Sequence, residues 1–106
     1  METSVLSEDC RTLSKQIQEI ANLYFHALTI LKTRCGQREK IKNQKLVDKV
    51  KSAFYKLDCL EREFINKEFF YDDYPRWWEK AYSKTTYYRI KRRSMKNFKE
   101  AYEYEN

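Results

Sequence analysis

Residue types that do chemistry are few in this chain of 106 residues, and their spacing does not suit a metal site. The three cysteines, Cys10, Cys35 and Cys59, and the only histidine, His26, lie far apart along the chain, whereas structural zinc sites usually use closely spaced pairs of ligands. An odd number of cysteines gives no disulfide framework either. A zinc site built from all four residues stays formally open, but the preferred interpretation is buried or half-buried free thiols, a partly buried histidine and no bound metal.

Carboxylates are concentrated just after the middle of the chain, where paired carboxylates could serve general acid–base catalysis. The cluster comprises Asp58, Glu61, Glu63, Glu68, Asp72 and Asp73. Helix caps and surface ion pairs explain it more simply, and the sequence holds no glycine-rich phosphate loop and no Ser/His/Asp arrangement. We therefore predict that the chain is not an enzyme and uses no cofactor.

One segment holds nearly all of the net positive charge. The chain carries a formal charge of +6, and residues 76–99 contain nine Lys and Arg against the single acid Glu79. Like charges on one solvated helix face repel each other, so a face without a partner usually mixes signs. The concentration of bases therefore indicates an anionic partner, with nucleic acid first and an acidic protein or a membrane second.

The elements that position these side chains are predicted to be helices throughout. Hydrophobic residues make up 42% of the chain, which excludes disorder, and one Gly and one Pro are too few for the turns of a β sandwich. Over residues 8–33 the apolar positions recur every three or four residues, as on one face of a helix. They are Leu13, Ile17, Ile20, Tyr24, Leu28 and Leu31. We expect this face to pack within one domain, with a coiled-coil dimer as the alternative.

Capping residues set the expected limits of the first three helices. Ser7 is the predicted N-cap of the first helix, and Gly36 ends it in a left-handed conformation. Residues 37–45 are polar and basic and are predicted to form a loop that runs into a second helix. Asp58 then breaks the chain and begins a third helix, over residues 59–70, with Glu61 completing a capping box. One uninterrupted helix over residues 46–70 is the alternative. The expected buried residues of these two helices are Leu46, Val50, Phe54, Leu57, Leu60, Phe64, Ile65, Phe69 and Phe70.

Pro75 separates this part of the chain from two further predicted helices. A short helix covers residues 76–82, and Ser83 caps the last one, over residues 85–102. The inward positions of the last helix are Thr86 or Tyr87, Ile90, Ser94 or Met95, Phe98, and Ala101 or Tyr102. Of the adjacent Trp77 and Trp78, one is expected to anchor the core and the other to cover a loop, with stacking on nucleic-acid bases as the alternative.

A short helix, a tight turn and a basic helix have the layout of a helix-turn-helix, in which the second helix enters the major groove of DNA. Arginine and lysine can contact guanine or phosphate, and hydroxyl groups suit phosphate or base edges. The side chains that lie off the inward stripe are the predicted DNA-binding residues. They are Lys84, Thr85, Tyr88, Arg89, Arg92, Arg93 and Lys96.

Two stretches of this region resemble a known family. Residues 60–65 (LEREFI) and residues 86–93 (TYYRIKRR), with an aromatic segment between them, resemble the C-terminal half of the ArpU and RinA group of phage transcriptional regulators. That group is similar in turn to region 4 of bacterial sigma factors, a helix-turn-helix. The likeness is closest over residues 89–92, and the chain departs from it at the bulky Trp77 and Trp78. It implies binding to promoter DNA and contact with RNA polymerase. The abundance of Lys, Tyr, Phe and Asn is also typical of AT-rich genomes, such as those of mycoplasmas.

Together these observations predict an all-α protein, a small bundle of four to five helices in a single domain. Residues 1–57 would form a long helical hairpin and residues 58–106 a helix-turn-helix portion like sigma region 4. The predicted function is sequence-directed binding of double-stranded DNA by a transcriptional regulator, with a homodimer as a further expectation. The alternative is a helical interaction module that binds an acidic protein or RNA through its basic last helix. No apolar run approaches the ~18 residues that span a membrane and no signal peptide is evident, so a cytoplasmic location is expected.

Overall fold

In a computed structural model the described residues of the chain form four α-helices and no strand. The structure describes residues 2–33, 36–70 and 76–104, with side chains from residue 10 onwards. The helices are α1 (Glu2–Lys32), α2 (Gln37–Lys56), α3 (Cys59–Ile65) and α4 (Lys84–Tyr104), and α3 continues directly into a π-helical turn, Asn66–Phe70. The prediction of an all-α bundle is therefore confirmed. The predictions for Arg34, Cys35 and residues 71–75, which include Asp72, Asp73 and Pro75, lie outside the described residues.

The first two helices form a hairpin that runs the length of the molecule. With 31 residues, α1 is about 46 Å long at 1.5 Å per residue, close to the 48 Å of the longest dimension. The helix begins at Glu2, so Ser7 lies inside it and the prediction of Ser7 as the N-cap was wrong. Gly36 has φ −69° and ψ 163° and stands as the N-cap of α2. Its backbone is extended, which corrects the expectation that Gly36 ends the first helix in a left-handed conformation.

The predicted loop over residues 37–45 is also wrong, because α2 begins at Gln37. The segment lacks the apolar spacing of a packed helix, and all of its side chains except Asn43 are exposed. Its residues are nevertheless mostly good helix formers such as Gln, Arg, Glu and Lys. Intrinsic propensity, together with the buried Val47, Val50 and Ala53 further along, is enough to extend the helix into solvent.

The predicted break at Asp58 is confirmed, with its capping box. The amide of Glu61 donates to Asp58 Oδ1 at 2.8 Å, and the Glu61 side chain accepts from the Asp58 amide at 3.4 Å. Arg62 closes the end of α2, since its guanidinium donates to the carbonyls of Phe54 and Leu57 at 3.0 and 3.1 Å. The Phe54 carbonyl also accepts from the Leu57 amide at 3.1 Å, and Arg62 adds a C-terminal cap that ties α3 to α2.

The main core lies where α1, α2, the π-helical turn and α4 meet. It contains Ile17, Ile20, Ala21, Val50, Ala53, Leu57, Ile65, Phe69, Phe70, Met95 and Phe98. Most of the residues expected inside are buried or half-buried, but Leu60 is 39% exposed. The neighbouring position is taken by Glu61, which is only 5% exposed and is held by side chains of α4 as described below.

A second, smaller cluster lies under the start of α4. Phe64, Tyr87 and Ile90 are buried there, with Trp77, Trp78 and Tyr82 packed against them. Both tryptophans belong to this cluster, which corrects the expectation that one of them covers a loop: Trp77 meets Phe64 edge-on at 5.3 Å and Trp78 stacks on Tyr87 at 4.2 Å.

The short helix predicted over residues 76–82 is wrong. The segment consists of hydrogen-bonded turns, closed by bonds such as Ala81 N–H to the carbonyl of Trp78 at 3.0 Å. A regular helix would turn adjacent side chains about 100° apart. In the turns observed, both adjacent tryptophans pack against the same small cluster.

Candidate nucleic-acid interface

Ser83 positions the start of α4, as predicted. Its Oγ accepts a hydrogen bond from the amide of Thr86 at 3.2 Å, and the backbone of Tyr87 bonds back to the Ser83 carbonyl at 2.8 Å. This satisfies one of the free amides at the helix start. The inward stripe is confirmed as well, with Tyr87, Ile90, Ser94, Met95 and Phe98 buried.

All seven predicted DNA-binding residues are exposed on α4. At 100° per residue, six of them fall within less than half of the helix circumference, opposite the buried stripe. We call this set the basic face; it comprises Thr85, Tyr88, Arg89, Arg92, Arg93 and Lys96. Lys84 lies about 40° beyond Tyr88, just outside the edge of this face. Glu100 and Glu103 follow on the same side of the helix. Lys99 lies on that side as well but pairs with Glu103 at 2.6 Å, so the unpaired part of the face ends after Lys96.

The cations of the basic face differ in how far they are engaged. Arg89, Arg92 and Lys96 have no hydrogen bond or ion pair with any residue that the structure describes. Arg93 donates from Nε to Glu61 at 3.1 Å, but its side chain is still 55% exposed. Glu79, the single acid of residues 76–99, pairs with Arg76 at 3.3 Å and not with Arg89.

Two carboxylates on the preceding segment fix α4 from its flanks. Glu61 accepts from Arg93 Nε at 3.1 Å and from Asn97 Nδ2 at 2.6 Å. Glu68, on the π-helical turn, accepts from Trp77 Nε1 at 2.9 Å and from the hydroxyl of Tyr87, and pairs with Lys91 Nζ at 3.1 Å. Glu61 and Glu68 thus serve a cap, packing and one ion pair with the basic face, at Arg93, and they leave Arg89, Arg92 and Lys96 uncompensated.

The contact between Tyr87 and Glu68 makes the stability depend on pH. Burial, and then the hydrogen bond to Glu68, raise the pKa of the Tyr87 hydroxyl well above its ordinary value. The native state therefore keeps this proton when the unfolded chain has already lost it above about pH 10. The contribution of Tyr87 is complete below that pH and is lost as the pH rises further.

We expect this residue to remove up to about 1.4 kcal/mol of stability per pH unit above pH ~10. Urea unfolding of the wild type and of Tyr87→Phe across this range measures the effect, and the variant should show the shallower decline. Tyr104→Phe is the control, since Tyr104 is 83% exposed on the same helix. Equal slopes for the wild type and Tyr87→Phe would show that the tyrosine proton is not held by the fold.

A groove beside the basic face brings in residues that the sequence did not reveal. It has a volume of about 800 Å³, lies between α1 and α4, and is lined by Arg11 and Lys15 from α1 together with Tyr88 and Arg92 from the basic face. No carboxylate of the described residues lines it. The spacing of Arg11 and Lys15 puts both on one side of α1, but only the packing of α1 on α4 places that side next to the basic face.

The other chemistry-bearing residues are dispersed. His26 and Cys59 are exposed and Cys10 is half-buried, which corrects the expected burial of the histidine and of the Cys59 thiol. Within the described ranges no group of three or more His, Cys, Asp or Glu side chains is arranged to hold a metal ion. Over the same ranges no helix is both long enough and apolar enough to cross a membrane.

Comparison with protein-family models, with curated proteins and with solved structures finds no match to this chain. The geometry and the charge of the surface itself are therefore what indicate a function.

Proposed function

We propose that this chain binds double-stranded DNA through the basic face of α4 and acts as a transcriptional regulator. The observation that carries the proposal is the exposure, on one side of a single helix, of Arg89, Arg92 and Lys96 with no acidic partner among the described residues. An exposed row of uncompensated cations costs self-repulsion, which neutralisation by phosphate relieves.

The dimensions of α4 suit the major groove, which is about 12 Å wide and admits one helix. The first turns of the helix present Thr85, Tyr88 and Arg89, the positions from which a recognition helix reaches base edges. Arg92, Arg93 and Lys96 continue along the same face toward the phosphates. Because residues 76–82 are not a helix, the helix that precedes α4 among the described residues is α3 with its π-helical turn. The connection is then longer than the three to four residues of a compact helix-turn-helix.

The groove between α1 and α4 extends this proposed surface, because Arg11 and Lys15 could each contact a DNA phosphate there. Arg11 and Lys15 are four residues apart, which is about 6 Å along α1. They lie across the groove from Arg92. With α4 in the major groove, a phosphate strand that follows the groove edge would meet both side chains. DNA would then contact two helices that are far apart in the sequence.

We expect the affinity for duplex DNA to fall steeply with salt, with a log–log slope between about −4 and −5 for four to six phosphate contacts. Fluorescence anisotropy with a labelled duplex at several salt concentrations measures the slope. Arg92→Ala/Lys96→Ala should reduce its magnitude by about 2, and so should Arg11→Ala/Lys15→Ala. The matched control, Lys40→Ala/Lys51→Ala, removes the same charge from exposed positions of α2.

Single variants and other nucleic acids test the proposed DNA binding further. Arg89→Ala should cost about 1–3 kcal/mol on particular sequences if Arg89 reads a base, or weaken all sequences equally if it contacts phosphate. Equal losses in the α4 pair and in the control pair would mean that only net charge matters and would refute a defined interface. Tighter binding to single-stranded RNA than to duplex would favour the RNA-binding alternative. Binding of an acidic protein without any duplex binding at low salt would equally refute the proposal.

A further inference from the structure

A second groove lies between α1 and α2, at the end of the hairpin where the two helices are joined. It has a volume of about 810 Å³ and shares no residue with the basic face of α4. Its floor is apolar and partly open to solvent: Leu23 is 52% exposed and Ile41 is 49% exposed, with the half-buried Ile30 and Leu46 beside them. Exposed apolar side chains gathered in one groove are typical of an interaction site.

The rim of this groove is basic. Arg38, Lys42, Lys45 and Lys49 line it, against the single acid Glu39. Lys49 also lies over the ring of Tyr102 at 4.2 Å, which holds its charge at one end of the groove. An apolar floor between positive edges has the complementary form of an amphipathic helix whose flanks are acidic.

We propose that this groove binds an acidic amphipathic helix of a partner protein. The apolar side of that helix would cover Leu23, Ile30 and Ile41, and its carboxylates would face the rim. The positive rim argues against a second copy of this chain as the occupant of the groove. If two grooves faced each other, the four basic side chains of each rim would bring eight positive charges together. The apolar floor argues against nucleic acid, since aliphatic side chains offer its polar groups no hydrogen bonds.

A designed helical peptide tests the proposal directly. The peptide carries Leu at i, i+3, i+4 and i+7 and Glu on both flanks, and a matched peptide carries Lys in place of each Glu. Titration of the ¹⁵N-labelled full chain should shift the amide resonances of residues 23–30 and 38–49 with the acidic peptide and not with the basic one.

Charge-reversal variants show whether the rim selects the partner. Lys42→Glu/Lys45→Glu should weaken binding of the acidic peptide by about tenfold or more and improve binding of the basic one. The control Lys40→Glu/Lys51→Glu makes the same change of net charge outside the groove. Leu23→Asp, at a position already half open to water, should abolish binding without changing the melting temperature.

Three results would overturn the inference. Shifts confined to α4 would mean that the acidic peptide binds the basic face. Equal binding of both peptides would remove the role of the rim. A dimer in analytical ultracentrifugation that Leu23→Asp dissociates would assign the groove to a second copy. The first of these results would also show that the basic face accepts an acidic protein, whereas the other two concern the groove alone; DNA binding is measured separately with the α4 variants.

Discussion

Replacing Phe98 with alanine should lower the free energy of unfolding by about 3–5 kcal/mol. Phe98 is fully buried and its ring meets Phe54 at 5.2 Å, Phe70 at 5.9 Å and Tyr102 at 6.3 Å. The truncation therefore leaves a cavity at the junction of α2, the π-helical turn and α4. The total free energy of unfolding of a native protein is typically about 5–15 kcal/mol, so the loss is a large share of its stability.

Urea unfolding followed by circular dichroism measures this loss. The control is Tyr104→Ala, which removes an aromatic ring from the same helix at a position that is 83% exposed. Its cost should stay within about 1 kcal/mol, the range of an exposed cation–π contact such as the one with Lys56. If both variants unfolded at the same urea concentration, α4 would be rotated about its axis from the orientation described here.

Removing the Glu68 side chain should cost about 3 kcal/mol, although Glu68 is a polar residue. Glu68 is the common acceptor for Trp77, Tyr87 and Lys91. Its side chain is 13% exposed and that of Lys91 is 20% exposed, so Glu68→Ala strips three donors of their partner where little water reaches them. We expect a loss comparable to that of an apolar core truncation.

Thermal unfolding of Glu68→Ala tests this expectation against Glu63→Ala. Glu63 pairs with Lys67 at 3.0 Å, but its side chain is 60% exposed, and such surface pairs contribute about 0–1 kcal/mol. Glu68→Gln keeps one acceptor oxygen and should fall between the two. If Glu68→Ala and Glu63→Ala had the same melting temperature, the three contacts of Glu68 would not stabilise the start of α4.

Features that depend on near neighbours in the chain could be predicted from the sequence. The capping box at Asp58 and the cap at Ser83 each involve residues three positions apart, so both can be recognised in the sequence as short motifs. The inward stripe of α4 follows from its period alone, and the exposure of Arg89, Arg92 and Lys96 follows from that stripe. The all-α fold is likewise a consequence of helical periodicity and few turn residues.

Features that depend on distant contacts could not be predicted. Glu61 meets Asn97 across 36 positions and Glu68 meets Tyr87 across 19, and no local pattern encodes such pairs. The same holds for Arg11, which joins the surface near α4 only through packing. The start of α2 was missed for the opposite reason: that segment is helical without an apolar period, because propensity rather than packing forms it.

The uncapped start of α2 has a consequence for how the molecule opens. Gly36 gives no side-chain hydrogen bond to the helix, and the first buried residue of α2 is Val47. Little burial opposes the unwinding of residues 37–46, so the opening of this segment should need far less free energy than global unfolding. Amide hydrogens there should exchange early, in a cooperative unit separate from the protected centre of α4. A ligand seated between Leu23 and Ile41 would have to order that unit first, and part of its binding energy would appear as slower exchange rather than as affinity.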